Sequence, residues 1–128
     1  ETITCYLAEE LEDYESALEG AIAESNEYFQ FKENERRVPF EVKAETLSSI
    51  LDVYTIDKID LLSLDVEGYE IQALDGLDLN QNRPTYILVE TTSCETKRQQ
   101  IADYMTQHNY KFLEFLSCND ALYMDGLA

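Results

Sequence analysis

The chain has 128 residues, and 45% of them are hydrophobic, which fits one folded domain and argues against intrinsic disorder. Its 27 acidic residues outnumber nine lysines and arginines, and the resulting formal charge of −18 repels nucleic-acid phosphates and anionic membrane surfaces. Because no apolar stretch is long enough to span a bilayer and no basic leader opens the chain, we expect a soluble, cytoplasmic protein with no nucleic-acid or membrane partner.

The N-terminal third of the chain combines two predicted strands with a strongly acidic segment. Alternation at residues 2–7 predicts the first strand, and an extended run at 39–42 predicts the next. Eight acids and no lysine or arginine fall within residues 9–27, and four apolar residues in this stretch recur at helical spacing: Leu11, Tyr14, Leu18 and Ile22. We therefore predict an acidic helical insertion over residues 8–37, and a solvated helix face is favoured over an interaction tail.

The central segment predicts a helix, a buried strand and a second helix in succession. Thr46 is the predicted N-cap of the first helix. The apolar run at 59–64 then ends abruptly in two carboxylates, Asp65 and Glu67. Unbroken apolar strands of this kind are typical of parallel sheets, whose carboxyl ends collect ligands. A short helix over residues 69–74, stopped by a glycine, follows.

The C-terminal third repeats the pattern of strand and helix and then closes with two strands. Residues 86–89 form a second unbroken apolar strand, which again ends in an acid, Glu90. A third helix, capped by Thr96, precedes a closing hairpin whose strands lie at 110–116 and 121–124. The alternation of strands and helices predicts right-handed crossovers and a mainly parallel sheet with an antiparallel edge at the C-terminus.

The acids at the two strand ends are the main candidates for a chemical site. Asp65 and Glu67 are two positions apart, so in extended geometry their side chains point to the same face of the sheet. One role for the pair is general base catalysis, because crowding by a second negative charge makes a carboxylate a better proton acceptor. Another is a divalent cation site completed by an oxygen from Glu70 or Glu90. A third interpretation is that Glu67 and Glu70 only complement the positive N-terminus of the following helix.

The remaining glycine, aromatic, histidine and cysteine positions carry less chemical information. Gly68 allows a tight turn or the close approach of a ligand, and Tyr69 reads as an aromatic residue of the rim or core. His108 lies near a predicted helix C-terminus, which favours a structural role. The cysteines are odd in number and widely spaced, which predicts reduced core thiols: Cys5, Cys94 and Cys118. The four glycines never form a GxG turn, and no nucleophile elbow or HExxH motif is present.

Three segments of the chain carry a family resemblance. They are IDLLSLDVEGYEIQALDG at 59–76, RPTYILVE at 83–90, and AETL at 44–47 followed by Ile50 and Leu51. With these segments, residues 40–124 resemble the FkbM-like methyltransferases. That family commonly has Lys where this chain has Ser63, and its glycine-containing cofactor loop and ribose-holding acid precede every residue seen here. The chain therefore resembles the C-terminal, substrate-side portion of such a methyltransferase.

The resemblance implies a fold class as well as a reaction. The implied fold is α/β, a Rossmann-like class I methyltransferase sheet within a single domain over residues 1–128. This sheet is expected to be mostly parallel, to close in an antiparallel C-terminal hairpin and to be incomplete at its N-terminal side. The implied cofactor is S-adenosylmethionine, and the implied reaction is methyl transfer to a hydroxyl of a small molecule or glycan.

The resemblance also implies roles for individual residues. Asp65 is expected to be catalytic, as a base or as an orienter of the acceptor hydroxyl, with Glu67 in support. Gly68, Tyr69 and Glu90 are expected to line the acceptor pocket, and no metal ligand is assigned. Whether this chain alone is an active enzyme is left open.

A hypothesis of another class stands beside the methyltransferase. A non-catalytic acidic α/β module would bind a divalent cation or a basic partner protein through the acidic segment and the Asp65–Glu67 pair. The enzymatic hypothesis requires Asp65 and Glu90 to lie at one edge of a sheet, and it is wrong if they lie at opposite ends.

Overall fold

The computed structural model of the protein describes residues 2–10, 21–23, 35–91 and 94–128. The chain divides into two compact units, Glu1–Glu45 and Thr46–Ala128, and each has its own sheet. The sequence predicted one domain over residues 1–128, and that assignment stays a prediction. No helix in the described ranges is both long and apolar enough to cross a membrane.

The first unit contains a three-stranded antiparallel sheet. Its strands are β1 (Thr2–Glu10), β2 (Ala21–Ala23) and β3 (Glu35–Lys43), in the order β2-β1-β3. The strands predicted at 2–7 and 39–42 are thus confirmed, and both are longer than predicted.

The described parts of the acidic segment are strands and not helix. Residues 8–10, 21–23 and 35–37 pair within the antiparallel sheet, and the rest of the predicted insertion over residues 8–37 lies outside the described residues. Ile22, which the helical spacing included, is paired with Tyr6 across β2 and β1. Pairing with a neighbouring strand therefore overrides the helical period at this position.

The second unit is built on a four-stranded sheet with the order β4-β5-β7-β6. Its elements in chain order are α1 (Leu47–Val53), β4 (Leu61–Leu64), α2 (Glu70–Asp75), β5 (Tyr86–Glu90), α3 (Glu95–Gln107), β6 (Tyr110–Phe115) and β7 (Asp120–Asp125). Strands β4 and β5 are parallel, whereas β7 is antiparallel to both β5 and β6. The sheet is therefore mixed and not mainly parallel, because β7 inserts between β5 and β6 and makes two of the three pairings antiparallel.

The predicted helix ends agree with the structure closely. The hydroxyl of Thr46 accepts a hydrogen bond from the Ser49 N–H at 3.1 Å, which confirms the predicted N-cap of α1. The N-cap of helix α3 is Cys94 and not Thr96, so the helix begins two residues earlier than predicted. It ends at Gln107 with His108 as its C-cap, and the next residue, Asn109, has a φ of 63°, the left-handed conformation that terminates helices.

The core of the second unit lies between its helices and alternate residues of the central strands. Val89, Ile101, Met105 and Ala121 are completely buried, and they pack in one cluster with five other buried side chains: Leu64, Leu74, Ile87, Tyr110 and Tyr123. The cluster joins α2 and α3 to the sheet. Cys94 and Cys118 lie outside it and are exposed, so the prediction of core thiols is wrong at these two positions.

Candidate active site at the ends of two parallel strands

The parallel pairing of β4 and β5 brings two acids together. Leu64 is paired with Val89, so the next residue of each strand, Asp65 and Glu90, lies at the same edge of the sheet. The two carboxyl groups are close enough for Asp65 to raise the pKa of Glu90. The juxtaposition that the enzymatic hypothesis requires is thus confirmed, while the chemical roles of both residues remain predictions. We call Asp65, Glu67 and Glu90 the acidic edge.

Glu90 has the most unusual electrostatic environment of the acidic edge. Burial raises its pKa, the hydrogen bond and charge of Asp65 raise it further, and the charges of Glu67 and Glu70 add to this, so the pKa of Glu90 is about 7. One carboxyl oxygen, Oε2, is buried, and no N–H or O–H donor among the described residues bonds to it. A carboxyl group in this state can take up and release a proton at neutral pH. The family resemblance implies instead that Asp65 is the base or the orienter of the acceptor hydroxyl and that Glu90 lines the pocket.

A tight turn follows Asp65 and breaks the strand geometry. Residues 66–69, which we call the site turn, are closed by a hydrogen bond from the Tyr69 N–H to the Val66 carbonyl at 3.2 Å. Glu67 and Gly68 have φ values of 50° and 106°, both in the left-handed region. The predicted tight turn at Gly68 is confirmed. The two-residue alternation used for Asp65 and Glu67 does not apply, because β4 ends at Leu64 and the backbone reverses.

The members of the acidic edge and the site turn differ in exposure. Asp65 and Glu67 are exposed, Glu90 and Tyr69 are half-buried, and Gly68 is buried. Exposed carboxylates next to a partly buried one form an accessible rim with a proton-holding group set behind it. Such a rim suits a ligand that carries positive charge or a hydroxyl group.

A buried ion pair lies directly behind the site turn. Glu70 is completely buried, and its Oε2 lies 2.6 Å from Nζ of Lys97, whose side chain is 2% exposed. Burial by itself raises the pKa of Glu70, but the bond and charge of Lys97 and the backbone N–H groups of Glu70 and Gly68 outweigh it and hold the pKa below the ordinary value. Glu70 is therefore held in its charged form by partners inside the protein.

Sequence reasoning missed Lys97, although a signal for it was present. Lys97, Ile101 and Met105 follow one another at four-residue intervals on α3 and are the buried residues of that helix. A lysine on the apolar stripe of a helix requires a buried partner of opposite charge. Glu70, at the start of α2, supplies it.

The described residues contain no group of three or more His, Cys, Asp or Glu side chains arranged to hold a metal ion. Glu70, proposed above as an additional oxygen ligand, is occupied by Lys97 and by backbone N–H groups. The structure thus lends no support to the predicted alternative of a divalent cation site at the acidic edge.

An open cleft of about 620 Å³ lies along α3 and the C-terminal hairpin. Its apolar wall is formed by Phe112, Phe115 and Tyr123, and its polar wall by side chains of α3, among them Gln99. Thr91, the residue after Glu90, also lines it. The cleft is therefore lined by the residue that directly follows Glu90 of the acidic edge.

Comparison with known proteins gives one result. No curated protein and no solved structure matches the chain. The model of the family described as Methyltransferase FkbM domain matches residues 2–112, which is most of the chain, and the protein therefore belongs to the FkbM methyltransferase family.

Proposed function

We propose that the protein methylates a hydroxyl group of a small-molecule or glycan acceptor, with S-adenosylmethionine as methyl donor and the acidic edge as the site of reaction. Membership of the FkbM family supports methyl transfer in general, and that family generally uses S-adenosylmethionine. The observation that carries the proposal is the placement of Asp65 and Glu90 side by side at one edge of the sheet, where the pKa of Glu90 is about 7.

The residues present fit one part of the proposed cofactor. S-adenosylmethionine carries positive charge on its sulfonium and ammonium groups, and Asp65, Glu67 and Glu90 place negative charge at one edge. The adenosine half has no matching glycine-rich turn in this chain, whose glycines never form GxG. When bound, the cofactor supplies a methyl group on a positively charged sulfur, which Asp65 and Glu67 would hold in place by charge.

The proton chemistry is assigned to Glu90. A neutral hydroxyl is a weak nucleophile, and a carboxylate that titrates near pH 7 can accept its proton as the oxygen bonds to the methyl group. The O–H bond would break as its proton moves to the Glu90 carboxylate, and an electron pair of the acceptor oxygen would form the bond to the methyl carbon. The bond from that carbon to the donor sulfur would break, its electron pair would stay on sulfur, and the sulfonium would leave as a neutral thioether. Asp65 lies beside Glu90, where its negative charge makes Glu90 a stronger proton acceptor, and the charge of Glu67 adds to this effect. Gly68 and Tyr69 line the acceptor pocket, where the glycine leaves room for the backbone to approach the acceptor.

The cleft beside α3 supports an acceptor with both apolar and polar faces. Phe112 and Phe115 are about half exposed in it, with relative exposures of 49% and 50%, and their rings lie 5.1 Å apart. Exposed aromatic faces opposite hydrogen-bonding side chains suit the faces and hydroxyl groups of a ring-shaped acceptor such as a sugar.

The test is transfer of a labelled methyl group from S-adenosylmethionine to a panel of hydroxyl-bearing small molecules and glycans. We expect label in a product that resists mild base, as a methyl ether does and a methyl ester does not. Glu90→Gln removes the base and keeps the volume of the side chain, so we expect the rate to fall by a factor on the order of 10² to 10⁴.

Glu114→Gln is the matched control, because it removes the same charge from an exposed position on β6. It should leave the rate within about twofold of the unsubstituted protein, as is usual for a surface substitution. A Glu90→Gln variant that is as active as the Glu114→Gln variant would show that Glu90 is not the base. Label in base-sensitive product only would show that the acceptor is a carboxyl group.

A further inference from the structure

Glu70 connects the site turn to α3 through both oxygens of one buried carboxylate. Its Oε1 accepts hydrogen bonds from the Gly68 N–H at 3.1 Å and from the Val66 N–H at 3.3 Å. Its Oε2 pairs with Lys97 of α3 at 2.6 Å. Glu70 is 0% exposed and Lys97 is 2% exposed, so water does not compete for either charge.

We propose that Glu70 and Lys97 are positioning residues, which hold the site turn so that Asp65 and Glu67 stay beside Glu90. The inference rests on the function proposed for the acidic edge and assigns part of its geometry to a pair of residues outside it. Neither residue needs to touch the acceptor or the methyl donor.

The site turn needs such a support because its backbone is unfavourable. Glu67 has a side chain and a φ of 50°, a combination that costs free energy and persists only where the surroundings impose it. The Gly68 N–H is buried and donates to Glu70, so without Glu70 it would lose this hydrogen bond. Two N–H groups on one carboxylate oxygen therefore keep the turn in its strained form.

Lys97 is needed because a lone buried carboxylate does not stay charged. Without a cation, Glu70 would take up a proton, and a protonated acid is a weaker acceptor for backbone N–H groups. The ion pair thus keeps both acceptor oxygens of Glu70 available. Lys97 lies on the buried face of α3, which packs in the core of the second unit. The ion pair therefore fixes the position of the site turn relative to that core.

The test compares two double variants with the same charge. Glu70→Gln/Lys97→Met removes the ion pair and keeps an amide oxygen that can accept from the two N–H groups. Glu70→Leu/Lys97→Met removes the ion pair and the acceptor, with similar side-chain volume. Any difference between them therefore reports the acceptor alone and excludes the lost charge as a cause.

The first readout is the pH at which Glu90 is half-protonated. It is measured by NMR of the labelled Glu90 carboxyl carbon in protein without ligand. The groups that face Glu90 are the acids Asp65, Glu67 and Glu70. We expect the midpoint of the leucine variant to fall towards the ordinary glutamate range, because Asp65 and Glu67 move away, while the glutamine variant stays closer to the unsubstituted protein. Equal midpoints in the two variants would overturn the proposal.

The second readout is catalytic and separates positioning from stability. We expect kcat of the leucine variant to be on the order of a hundredfold lower than that of the glutamine variant, because a displacement of catalytic groups by about 1 Å has an effect of this size. The thermal midpoints of the two variants should be the same. A fall in kcat that only parallels a fall in thermal midpoint would overturn the proposal. The titration stands if methyl transfer is not observed, so failure of the proposed function and failure of the positioning role are distinguishable.

A third measurement covers the case in which the leucine variant does not fold. Hydrogen exchange of the Val66 and Gly68 amides is compared between the unsubstituted protein and Lys97→Met. We expect slow exchange in the unsubstituted protein and at least tenfold faster exchange in the variant, because a less charged Glu70 accepts more weakly. Exchange of both amides at the rate of an open loop in the unsubstituted protein would contradict the role of Glu70.

Discussion

Glu90 shows how strongly the surroundings of a residue decide its chemistry. Its side chain is the same as that of the exposed Glu114, yet burial and the neighbouring Asp65 raise its pKa to about 7. Glu70 is more deeply buried, but Lys97 and backbone N–H groups shift its pKa in the opposite direction. A buried glutamate thus becomes a better proton acceptor where its neighbours are acids, whereas a neighbouring cation favours its charged form.

The pKa of Glu90 predicts a particular pH dependence of stability. Because the native value of about 7 exceeds the ordinary value of 4.5, the native state binds more protons than the unfolded chain between these values. Its contribution to stability is therefore present at low pH and is lost as pH rises through this range. We expect Glu90→Gln to be more stable than the unsubstituted protein at about pH 8 by about 1–2 kcal/mol, a value discounted for partial exposure.

Urea denaturation across this pH range measures the effect. The difference in unfolding free energy between the two proteins should grow as the pH is raised from about 5 to about 8. Glu114→Gln should show no comparable growth. A constant difference for Glu90→Gln would mean that the native carboxyl titrates in the ordinary range.

At the scale of elements, a polar network joins the end of α3 to the ends of the sheet strands. Arg83 donates to Asp125 at 2.7 Å and to the His108 carbonyl at 2.7 Å, and its guanidinium lies 4.6 Å from the centre of the Tyr110 ring. The Tyr110 hydroxyl donates to the Pro84 carbonyl at 2.7 Å. This network lies at the end of β5 opposite to Glu90. His108 contributes its backbone carbonyl here, and the structural role predicted for its side chain stays a prediction.

Gly126 is required where β7 ends against the turn that follows α3. Its N–H donates to the Asn109 carbonyl oxygen at 2.8 Å, and a Cβ added to it would lie 2.4 Å from that same oxygen. We expect Gly126→Ala to destabilise the protein by about 1–3 kcal/mol, because backbone must move to relieve the overlap.

Thermal or urea unfolding of two alanine variants tests this contact. Gly76→Ala is the comparison, since its new Cβ would lie 3.3 Å or more from its nearest neighbours and its φ of −79° suits any residue. Gly126→Ala should be the more destabilised variant. The reverse order would show that β7 and the α3 turn can separate at little cost.

At the scale of the whole molecule, charge repulsion opposes folding. The 27 acids and nine lysines and arginines leave a net charge of −18, and the few ion pairs of the described second unit do not balance it. Self-repulsion of this kind destabilises the compact state and is screened by salt. We expect the urea midpoint to rise between about 20 and about 300 mM sodium chloride, where the screening length falls below the spacing of surface charges.

The same titration with sodium sulfate and magnesium chloride separates screening from specific binding. At equal ionic strength, simple screening predicts similar midpoints with each salt. A midpoint that falls as sodium chloride is added would show that attractive ion pairs outweigh the repulsion. A much larger rise with magnesium would revive the hypothesis of a divalent cation site.

The sequence by itself determined the elements of the second unit and the position of the acids along it. Apolar periodicity and capping residues are local signals, and they located α1 to α3, the four strands and the helix cap at Thr46. Because neighbouring parallel strands end at a common edge, the sequence also predicted that Asp65 and Glu90 would meet. Family membership followed from the same segments.

Only the tertiary structure decided the properties that depend on residues far apart in the chain. It placed β7 between β5 and β6, formed a separate antiparallel sheet from β1 to β3, and paired Lys97 with Glu70. It also assigned the raised pKa to Glu90. Burial and the approach of distant charges set these properties, and neither is encoded in the spacing of residues along one segment.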